Sequence, residues 1–270
     1  MQRPQVTSSP MRSYVRELLA HPDTRGCSID GANTTDLRRG IIRKNRFLWR
    51  IYDEWYRMLA RHVPDGDRPA VEFGSGAGFL PDYIPRLITT EILPCSGIHA
   101  VVDARRIPMR TQSLRGIVLV DVLHHIPNVR DFFAEADRTL CAGGVIAMVE
   151  PWNSTFSSIV LRNLHHEPFV PTAPDWEFPS SGPVSGANQA LPWIIFRRDR
   201  DVFQKEFPRL RIELIQPFMP FRYLVSGGVS MRPLMPEFLF PFWRGLETCL
   251  SPLRNYLAMF ALIVVRKVEM

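Results

Sequence analysis

Hydrophobic side chains are spaced in two different ways along this chain of 270 residues. Between residues 36 and 62 they recur every three or four positions, which predicts one long amphipathic helix. Its buried face comprises Leu48, Ile51, Tyr52, Trp55, Met58 and Leu59. From residue 70 onward, short apolar runs alternate with segments of helical spacing, and glycines or prolines separate them. This alternation predicts a mostly parallel sheet with helices on both faces.

The apolar runs predict about seven strands in one doubly wound α/β sheet. The predicted strands are 70–73, 89–93, 98–102, 116–120, 145–149, 210–215 and 258–268. The predicted helices are 79–88, 127–140 and 197–206. Pro85 should shorten or kink the first of these helices, because proline lacks the backbone N–H that a helix needs. Gly143 and Gly144 predict a turn before the fifth strand.

The chain divides into a loosely structured segment, 1–35, and a single domain, 36–270. A short helix is predicted around Ser13–Ala20. The domain comprises the helix 36–62, a half formed by 70–150 and a half formed by 151–270. Two stretches in the second half, 151–192 and 217–253, have the character of insertions, the first an irregular segment with seven prolines. Long irregular segments of this kind often form lids or binding loops, so we expect them to cover a ligand.

Composition narrows the class of protein. With 46% hydrophobic and 22% charged residues the chain is globular, and its net charge of +6 favours anionic partners without choosing among them. Basic residues crowd the first half of helix 36–62: Arg38, Arg39, Arg43, Lys44, Arg46 and Arg50. They could bind phosphate or nucleic acid, but a solvated helix face is the expectation. The four cysteines are scattered, which indicates neither a zinc site nor a disulfide framework and fits a cytoplasmic protein.

The first predicted strand runs into a glycine-rich loop. Glu72 is followed by glycines at alternate positions, Gly74, Gly76 and Gly78, with Ser75 between the first two. Glycines let a backbone approach a ligand closely, and the N-terminus of a following helix would favour a carboxylate or phosphate. The dinucleotide-binding fingerprint requires a third glycine where this chain has Phe79, so that fingerprint fails.

Acidic residues follow the next three strands. Glu91 lies 19 residues (91 − 72) beyond Glu72, a spacing at which a carboxylate can accept hydrogen bonds from ribose hydroxyls. Asp103 and Ala104 end the third strand, and Asp121 ends the fourth. The fourth continues into Leu123-His124-His125. Since the carboxyl ends of parallel strands meet at one edge of a sheet, these residues should share one site.

These motifs together resemble the class I S-adenosylmethionine-dependent methyltransferases of the small-molecule type. The resemblance covers residues 70–150 and includes the turn Leu140–Gly144, with Ala142 where the family has proline. It implies a Rossmann-like fold and S-adenosylmethionine as cofactor, bound by Glu72, Gly74, Ser75, Gly76, Gly78, Glu91, Asp103, Ala104 and Asp121. Glu91 would hold the ribose and Asp103 the adenine amino group. Arg115 stands where the family commonly has an aspartate, which removes one structural hydrogen bond.

The implied reaction is methyl transfer to a small-molecule or lipid-linked acceptor, with oxygen as the expected methylated atom. An oxygen acceptor must lose a proton, and His124 and His125 are the candidate catalytic bases. Neighbouring side chains point in different directions, so one at most should face the acceptor, and both could instead be structural. Two rival functions stay open: a methyltransferase-like binding or assembly protein without turnover, and an RNA methyltransferase. Nucleic acid is the less expected partner, because no recognised nucleic-acid module or NPPY-type tetrad is present.

Two further features concern partners. The cluster His165-His166-Glu167 offers ligand types for a metal, but adjacent residues seldom chelate one ion and no third ligand has a diagnostic spacing, so no metal site is predicted. The insertion 217–253 is rich in aromatic residues from Phe238 to Trp243 and carries Arg222, Arg232 and Arg244. It predicts a hydrophobic or lipid-linked acceptor met at an anionic membrane surface, the alternative being that the aromatics pack as core. The longest apolar run, 257–265, is too short to span a bilayer. The sequence leaves the oligomeric state open.

Overall fold

A computed structural model describes residues 18–24, 27, 30–31, 33–165 and 167–269. The strands are β1 (Ala70–Phe73), β2 (Leu87–Glu91), β3 (Ala100–Val101), β4 (Leu114–Val120), β5 (Leu140–Pro151), β6 (Leu210–Phe218) and β7 (Phe260–Lys267). The helices are α1 (Thr34–Lys44), α2 (Arg46–Ala60), α3 (Val129–Thr139), α4 (Thr155–Leu164), α5 (Leu191–Trp193), α6 (Arg200–Glu206), α7 (Arg222–Ser226), α8 (Phe240–Cys249) and α9 (Arg254–Leu257). A π-helix, Ile194–Arg198, joins α5 to α6. Most of the helix predicted at Ser13–Ala20 lies outside the described residues.

The seven strands form one sheet in the order β3-β2-β1-β4-β5-β7-β6. Strand β7 is antiparallel to both of its neighbours, and the other pairings are parallel. The prediction of a Rossmann-like, mostly parallel sheet of about seven strands is therefore confirmed. The carboxyl ends of β1, β2 and β4 lie side by side, because Phe73 pairs with Thr90 on one side and Leu119 on the other.

The predicted helix 36–62 is two helices, and the expectation of one continuous helix was wrong. Asn45 separates α1 from α2 and takes an extended conformation, with its side chain accepting a hydrogen bond from the Leu48 backbone N–H at 3.1 Å. An asparagine side chain competes with the backbone for hydrogen bonds in this way and caps a new helix. The predicted buried face of α2 is confirmed at Leu48, Ile51, Tyr52, Trp55 and Leu59, whereas Met58 is only partly buried.

The helix predicted over 79–88 is absent from the described structure. Only a 3₁₀ turn, Leu80–Asp82, follows the glycine loop before the chain enters β2. Pro81 and Pro85 explain the difference, because each lacks a backbone N–H and disfavours the helical conformation in the residue before it. The positive end of a helix dipole, expected behind the glycine loop, is therefore missing.

The second half of the chain is more ordered than predicted. The stretch expected to be irregular begins with helix α4, which Ser154 and Ser157 start through reciprocal side-chain to backbone hydrogen bonds. The helix predicted over 197–206 is shorter, since α6 begins at Arg200. Gly143 and Gly144 lie within an irregular part of β5 rather than in a turn before it. No described helix combines the length and apolar character needed to cross a membrane.

Candidate active site

A cavity of about 670 Å³ opens at the carboxyl ends of β1, β2 and β4. Six of the predicted cofactor-binding residues line it: Gly74, Gly76, Glu91, Asp103, Ala104 and Asp121. Glu72, Ser75 and Gly78 lie in or next to the same loop but are not part of the cavity wall. Residues from α1, from 180–184 and from 227–231 also line the cavity.

The three glycines of the loop have different roles. Gly74 has a φ of 75°, and a Cβ there would lie 2.2 Å from Cγ2 of Val122. Gly78 also has a φ of 75°, and a Cβ there would lie 2.7 Å from the Nε atom of Arg39. At Gly76 a Cβ would meet only Oε1 of Glu91, at 3.8 Å. Gly74 and Gly78 therefore shape the loop itself, whereas Gly76 keeps open a space beside the Glu91 carboxylate where a ligand can approach the backbone.

Arg39 supports the glycine loop, which no helix follows in the described structure. Its guanidinium donates hydrogen bonds to the carbonyl oxygens of Gly76 (3.1 Å) and Ser75 (3.4 Å), and also to that of Ser96. Because these carbonyls are engaged by Arg39, the loop conformation is fixed. The prediction that this arginine belongs to a solvated helix face was wrong, since Arg39 is buried. Arg43, Lys44 and Arg46 on the same helices are exposed as expected.

Two buried acids, Glu72 and Glu91, lie close to each other next to the glycine loop. Burial raises the pKa of Glu72 to about 8, with the nearby charge of Glu91 adding to the shift. Neither carboxylate oxygen of Glu72 has a hydrogen-bond partner among the described residues. Burial likewise raises the pKa of Glu91, to about 7. Ser75 faces away from the cavity and joins the loop to β2, where its Oγ accepts from the Thr90 N–H at 3.0 Å.

Asp103 lines the cavity and forms an ion pair with Arg105. Arg105 donates from Nη2 to its Oδ2 at 2.7 Å and from its backbone N–H to Oδ1 at 2.9 Å. Burial opposes ionisation, but these bonds outweigh it, and the pKa of Asp103 lies below its usual value. The carboxylate is thus fixed and negatively charged, as a group that accepts a hydrogen bond from an amino donor should be.

The segment after β4 brings four side chains together. Asp121 has a φ of 62°, an unusual conformation that asparagine and aspartate tolerate better than other residues. His125 lines the cavity, whereas His124 is fully buried behind it. Glu167, from the insertion 151–192, lies 3.5 Å from His124 Nε2 and 3.6 Å from His125 Nε2. In the sequence, Glu167 was grouped with its neighbours His165 and His166, and His166 lies outside the described residues. The contact of Glu167 with His124 and His125 was not predicted.

The histidines differ in charge. Burial favours the neutral form of His124, but the carboxylates of Glu150, Glu167 and Asp121 outweigh it and raise its pKa well above the usual value. Burial and the neighbouring His124 lower the pKa of His125 to about 4. Burial would raise the pKa of Glu167, yet the three neighbouring histidines hold it well below its usual range. Burial raises the pKa of Asp121 to about 6.

Glu150 fixes the orientation of His124. Its Oε1 accepts from the backbone N–H groups of Val122 (2.9 Å) and Leu123 (2.7 Å), and its Oε2 lies 2.9 Å from His124 Nδ1. His125 is held by the Gly186 carbonyl, 3.2 Å from its Nδ1. Sequence reasoning missed both partners, because Glu150 is simply an acid at the end of an apolar strand.

Part of the cavity lining is apolar. This part is formed by side chains from α4, the insertion 217–253 and the start of β7: Val160, Leu161, Leu164, Leu224, Val229, Met231, Met259 and Phe260. The aromatic segment of the insertion is divided, because Phe240 is buried whereas Phe238 is 77% and Phe242 63% exposed. Arg222 is not available to an external phosphate, since it is buried and ion-paired with Glu54 (2.6 Å) and Glu247 (2.5 Å).

Comparison with known proteins relates this chain to methyltransferases. Residues 71–148 match the family model of the methyltransferase domain. One chain of the complex between the Haloferax volcanii Trm112 methyltransferase activator and its methyltransferase superposes with a TM-score of 0.52, at 13% identity, over 90% of this chain and 99% of that one. Geranyl diphosphate C-methyltransferase from Streptomyces coelicolor A3(2) superposes with a TM-score of 0.47, at 12% identity, over 82% and 78% of the two chains. No curated protein matches in sequence.

The glycine loop, the acids at three successive strand ends and the matched domain lead to one assignment. The strand order and the site occur together in the half of the chain that the family model covers. Residues 71–148 carry a methyltransferase domain on a Rossmann-like fold, and the protein is an enzyme that uses S-adenosylmethionine as its cofactor.

Proposed function

We propose that this protein methylates an oxygen atom of a hydrophobic small-molecule or lipid-linked acceptor. One observation carries the proposal: a single cavity is lined by the glycine loop, by a group of apolar side chains and by Asp121, His125 and Glu167. Two regions with such different polarity suit two different ligands. Asp121, His125 and Glu167 would then lie where the ligands meet.

The cofactor fits the polar part of the lining. S-adenosylmethionine supplies a methyl group on a sulfonium sulfur, which an oxygen nucleophile can displace. Gly76 leaves room beside Glu91, whose carboxylate would accept hydrogen bonds from the ribose hydroxyls. Asp103, fixed by Arg105, would accept one from the adenine amino group. Gly74, Ala104 and Asp121 complete this part of the wall. Glu72, Ser75 and Gly78 would act indirectly, by shaping the loop.

The group of Asp121, His125 and Glu167 would act on the acceptor. His124 and His125 remain the proposed catalytic residues, with His125 meeting the acceptor oxygen and His124 supporting it from behind. Asp121 lines the cavity and lies 3.9 Å from His124 Nε2, and burial places its pKa at about 6. An acid with a pKa near neutrality is well suited to take the hydroxyl proton of the acceptor. Positioning and the exclusion of water would supply the remaining rate enhancement.

The exposed aromatics favour contact with a membrane. Phe238 and Phe242 protrude from α8 and the turn before it, and Arg244 nearby is 66% exposed. Exposed aromatic side chains beside a cation suit the headgroup region of an anionic bilayer. A lipid-linked acceptor would be met at such a surface. Core packing, the alternative from the sequence, accounts for Phe240 but not for these two.

The proposal is tested by supplying S-adenosylmethionine with a ¹³C-labelled methyl group together with cell extracts. Aqueous and lipid extracts are incubated separately, and labelled products are examined by mass spectrometry and ¹³C NMR. We expect an O-methyl product from the lipid extract. A labelled nitrogen or carbon would refute the oxygen assignment, and a product confined to the aqueous extract would refute a hydrophobic acceptor. Labelled RNA would favour the nucleic-acid rival, and bound cofactor without any product the non-catalytic one.

A further inference from the structure

Three side chains converge on one point behind the cavity wall. His124, His125 and Glu167 each offer one ligand atom, and these atoms all lie within 4.8 Å of one another. The Nε2 atoms of the two histidines lie 3.5 Å and 3.6 Å from oxygens of Glu167. A fourth group, Oδ1 of Asp121, lies 3.9 Å from His124 Nε2. The residues come from two segments more than 40 positions apart, so their meeting is a product of the fold.

Hydrogen bonds on the opposite side of each ring determine what faces this point. A backbone carbonyl can only accept, so the contact with Gly186 requires a proton on Nδ1 of His125. The Glu150 carboxylate requires the same of Nδ1 of His124. When both rings are neutral, this leaves their Nε2 lone pairs directed at the Glu167 carboxylate. The carboxylates around His124 favour its protonated ring, so a metal ion would take the place of that Nε2 proton. Histidines whose Nδ1–H is held by a carboxylate or a backbone carbonyl are typical metal ligands.

Lone pairs that face a carboxylate without a cation between them repel one another. His124 is fully buried, and its Nε2 makes no hydrogen bond to any described residue. A metal with bonds of about 2.1 Å in tetrahedral geometry holds its ligands about 3.4 Å apart. The separations of 3.5 Å from His124 Nε2 to Glu167 Oε2 and of 3.6 Å from His125 Nε2 to Glu167 Oε1 are close to that spacing. A proton on His124 would relieve part of the repulsion but would leave the His125 nitrogen facing the carboxylate.

We propose that His124 Nε2, His125 Nε2 and the Glu167 carboxylate bind one divalent transition-metal ion. Two imidazoles and a carboxylate suit Zn²⁺, Fe²⁺ or Mn²⁺. His125, Glu167 and Asp121 also line the cavity, so one coordination position faces the acceptor. Resting on the proposed function, the inference gives the histidines their role, since a metal-bound hydroxyl loses its proton more readily to a neighbour such as Asp121.

Metal binding is measured directly, without any acceptor. The intact protein is dialysed against a chelator and titrated with Zn²⁺ and with Mn²⁺ in a calorimeter, and bound metal is counted by elemental analysis. We expect one ion per chain. His125→Ala and Glu167→Gln should lower the affinity at least about 10-fold, whereas His62→Ala and Glu177→Gln, which lose the same groups elsewhere, should not. Circular dichroism establishes that each variant is folded.

Glu150→Gln tests the orientation of His124 without removing a ligand. The amide oxygen would remain on the Val122 and Leu123 N–H groups, so the amide NH₂ would face Nδ1 and force the ring proton onto Nε2. Metal affinity should then fall about 10- to 100-fold, the usual cost of losing such a partner. If the folded wild type binds neither ion at millimolar concentration, or all variants bind equally, the metal site is refuted. Chelator-resistant O-methylation would refute the metal site and leave the proposed function intact, whereas metal binding without a methylated product would do the reverse.

Discussion

Two regions at the cavity, the one proposed to hold the cofactor (the cofactor half) and the one proposed to hold the acceptor (the acceptor half), place carboxylates in opposite electrostatic surroundings. In the cofactor half, Glu72 and Glu91 lie near each other in a buried environment, and burial raises their pKa values to about 8 and about 7. In the acceptor half, Glu167 is also buried but faces three histidines, which hold its pKa well below the usual range. Burial is common to both halves, so the neighbours decide the charge.

The difference shows what each half is suited to receive. The acid pair of the cofactor half is only partly ionised near neutral pH, and a cationic ligand such as a sulfonium would favour its ionised form. In the acceptor half, Glu167 stays ionised at every physiological pH, beside His124, whose pKa is raised, and His125, whose pKa is lowered. The following predictions change one half at a time.

The largest effect is expected from closing the cofactor half. Gly76→Val fills the space beside Glu91 without backbone strain, because φ at Gly76 is outside the left-handed region. Binding of S-adenosylmethionine should become undetectable by calorimetry, while the melting temperature changes little. Gly245→Val, at an exposed helical glycine with open space around it, is the matched control. Retained binding would place the cofactor elsewhere.

A loss confined to the acceptor half is expected from His125→Ala. Methyl transfer to the acceptor should slow about 100-fold or more, the usual contribution of a group that acts on the transferred proton. Cofactor affinity should stay unchanged, since this side chain lies beyond the glycine loop. Steady-state kinetics and calorimetry measure the two quantities, with His62→Ala as control. A variant that turns over normally would make His125 structural.

Removal of Glu91, the proposed ribose-binding group, should give a smaller loss. Glu91→Ala should weaken cofactor binding by roughly 1.5–3 kcal/mol, the value for hydrogen bonds to a charged group. In the wild type, affinity should rise as the pH increases through about 7, because Glu91 ionises there and its carboxylate becomes the better acceptor. Glu91→Gln should lose this pH dependence. Calorimetry from pH 6 to 8 measures both effects, and a pH dependence that persists in Glu91→Gln would assign it to another group.

The surface beside the acceptor half should bind anionic vesicles at low salt and release them at high salt. Phe238→Ser with Phe242→Ser should reduce binding about 10-fold, since burying an aromatic side chain contributes roughly 1.5–3 kcal/mol when complete. Val202→Ser changes an exposed apolar residue on α6 and serves as control. Flotation with phosphatidylglycerol vesicles measures the effect. If the folded wild type remains in solution at low salt, membrane docking is wrong.

The smallest effect concerns stability in the cofactor half. A carboxyl whose pKa is raised by folding favours the folded state below its unfolded pKa, and this contribution disappears as the pH rises through the folded value. For Glu72 the window lies between about 4.5 and about 8. Because a tenfold change in an ionisation constant corresponds to about 1.4 kcal/mol, the melting temperature of Glu72→Gln should rise relative to that of the wild type as the pH increases from 5 to 8.5. Calorimetric scans without cofactor test this, and a constant difference across that range would contradict it. The exposed Glu177→Gln should show no such trend.

The parts of the structure that could be predicted from the sequence are those that depend on local patterns of residues. The sheet, the positions of Gly74 and Gly76 and the acids Glu91 and Asp103 follow from apolar runs and from residues next to their ends. The same reasoning failed where one residue outweighs a pattern, as at Asn45, which divides the long helix, and at Pro81 and Pro85, which prevent another. Helical spacing alone overestimated both segments because it does not weigh caps and missing N–H groups.

The sequence by itself determined the fold class, the methyltransferase domain and the residues proposed to hold the cofactor, because these depend on residues adjacent to strand ends within one continuous segment. Only the tertiary structure decided that Arg39 supports the glycine loop and that Glu167 meets His124 and His125. Both contacts join segments more than 30 residues apart, and their formation depends on how α1 and the insertion 151–192 pack over the sheet edge. The spacing of residues along the chain does not predict such contacts, because they form only when distant segments are buried against one another in the folded protein.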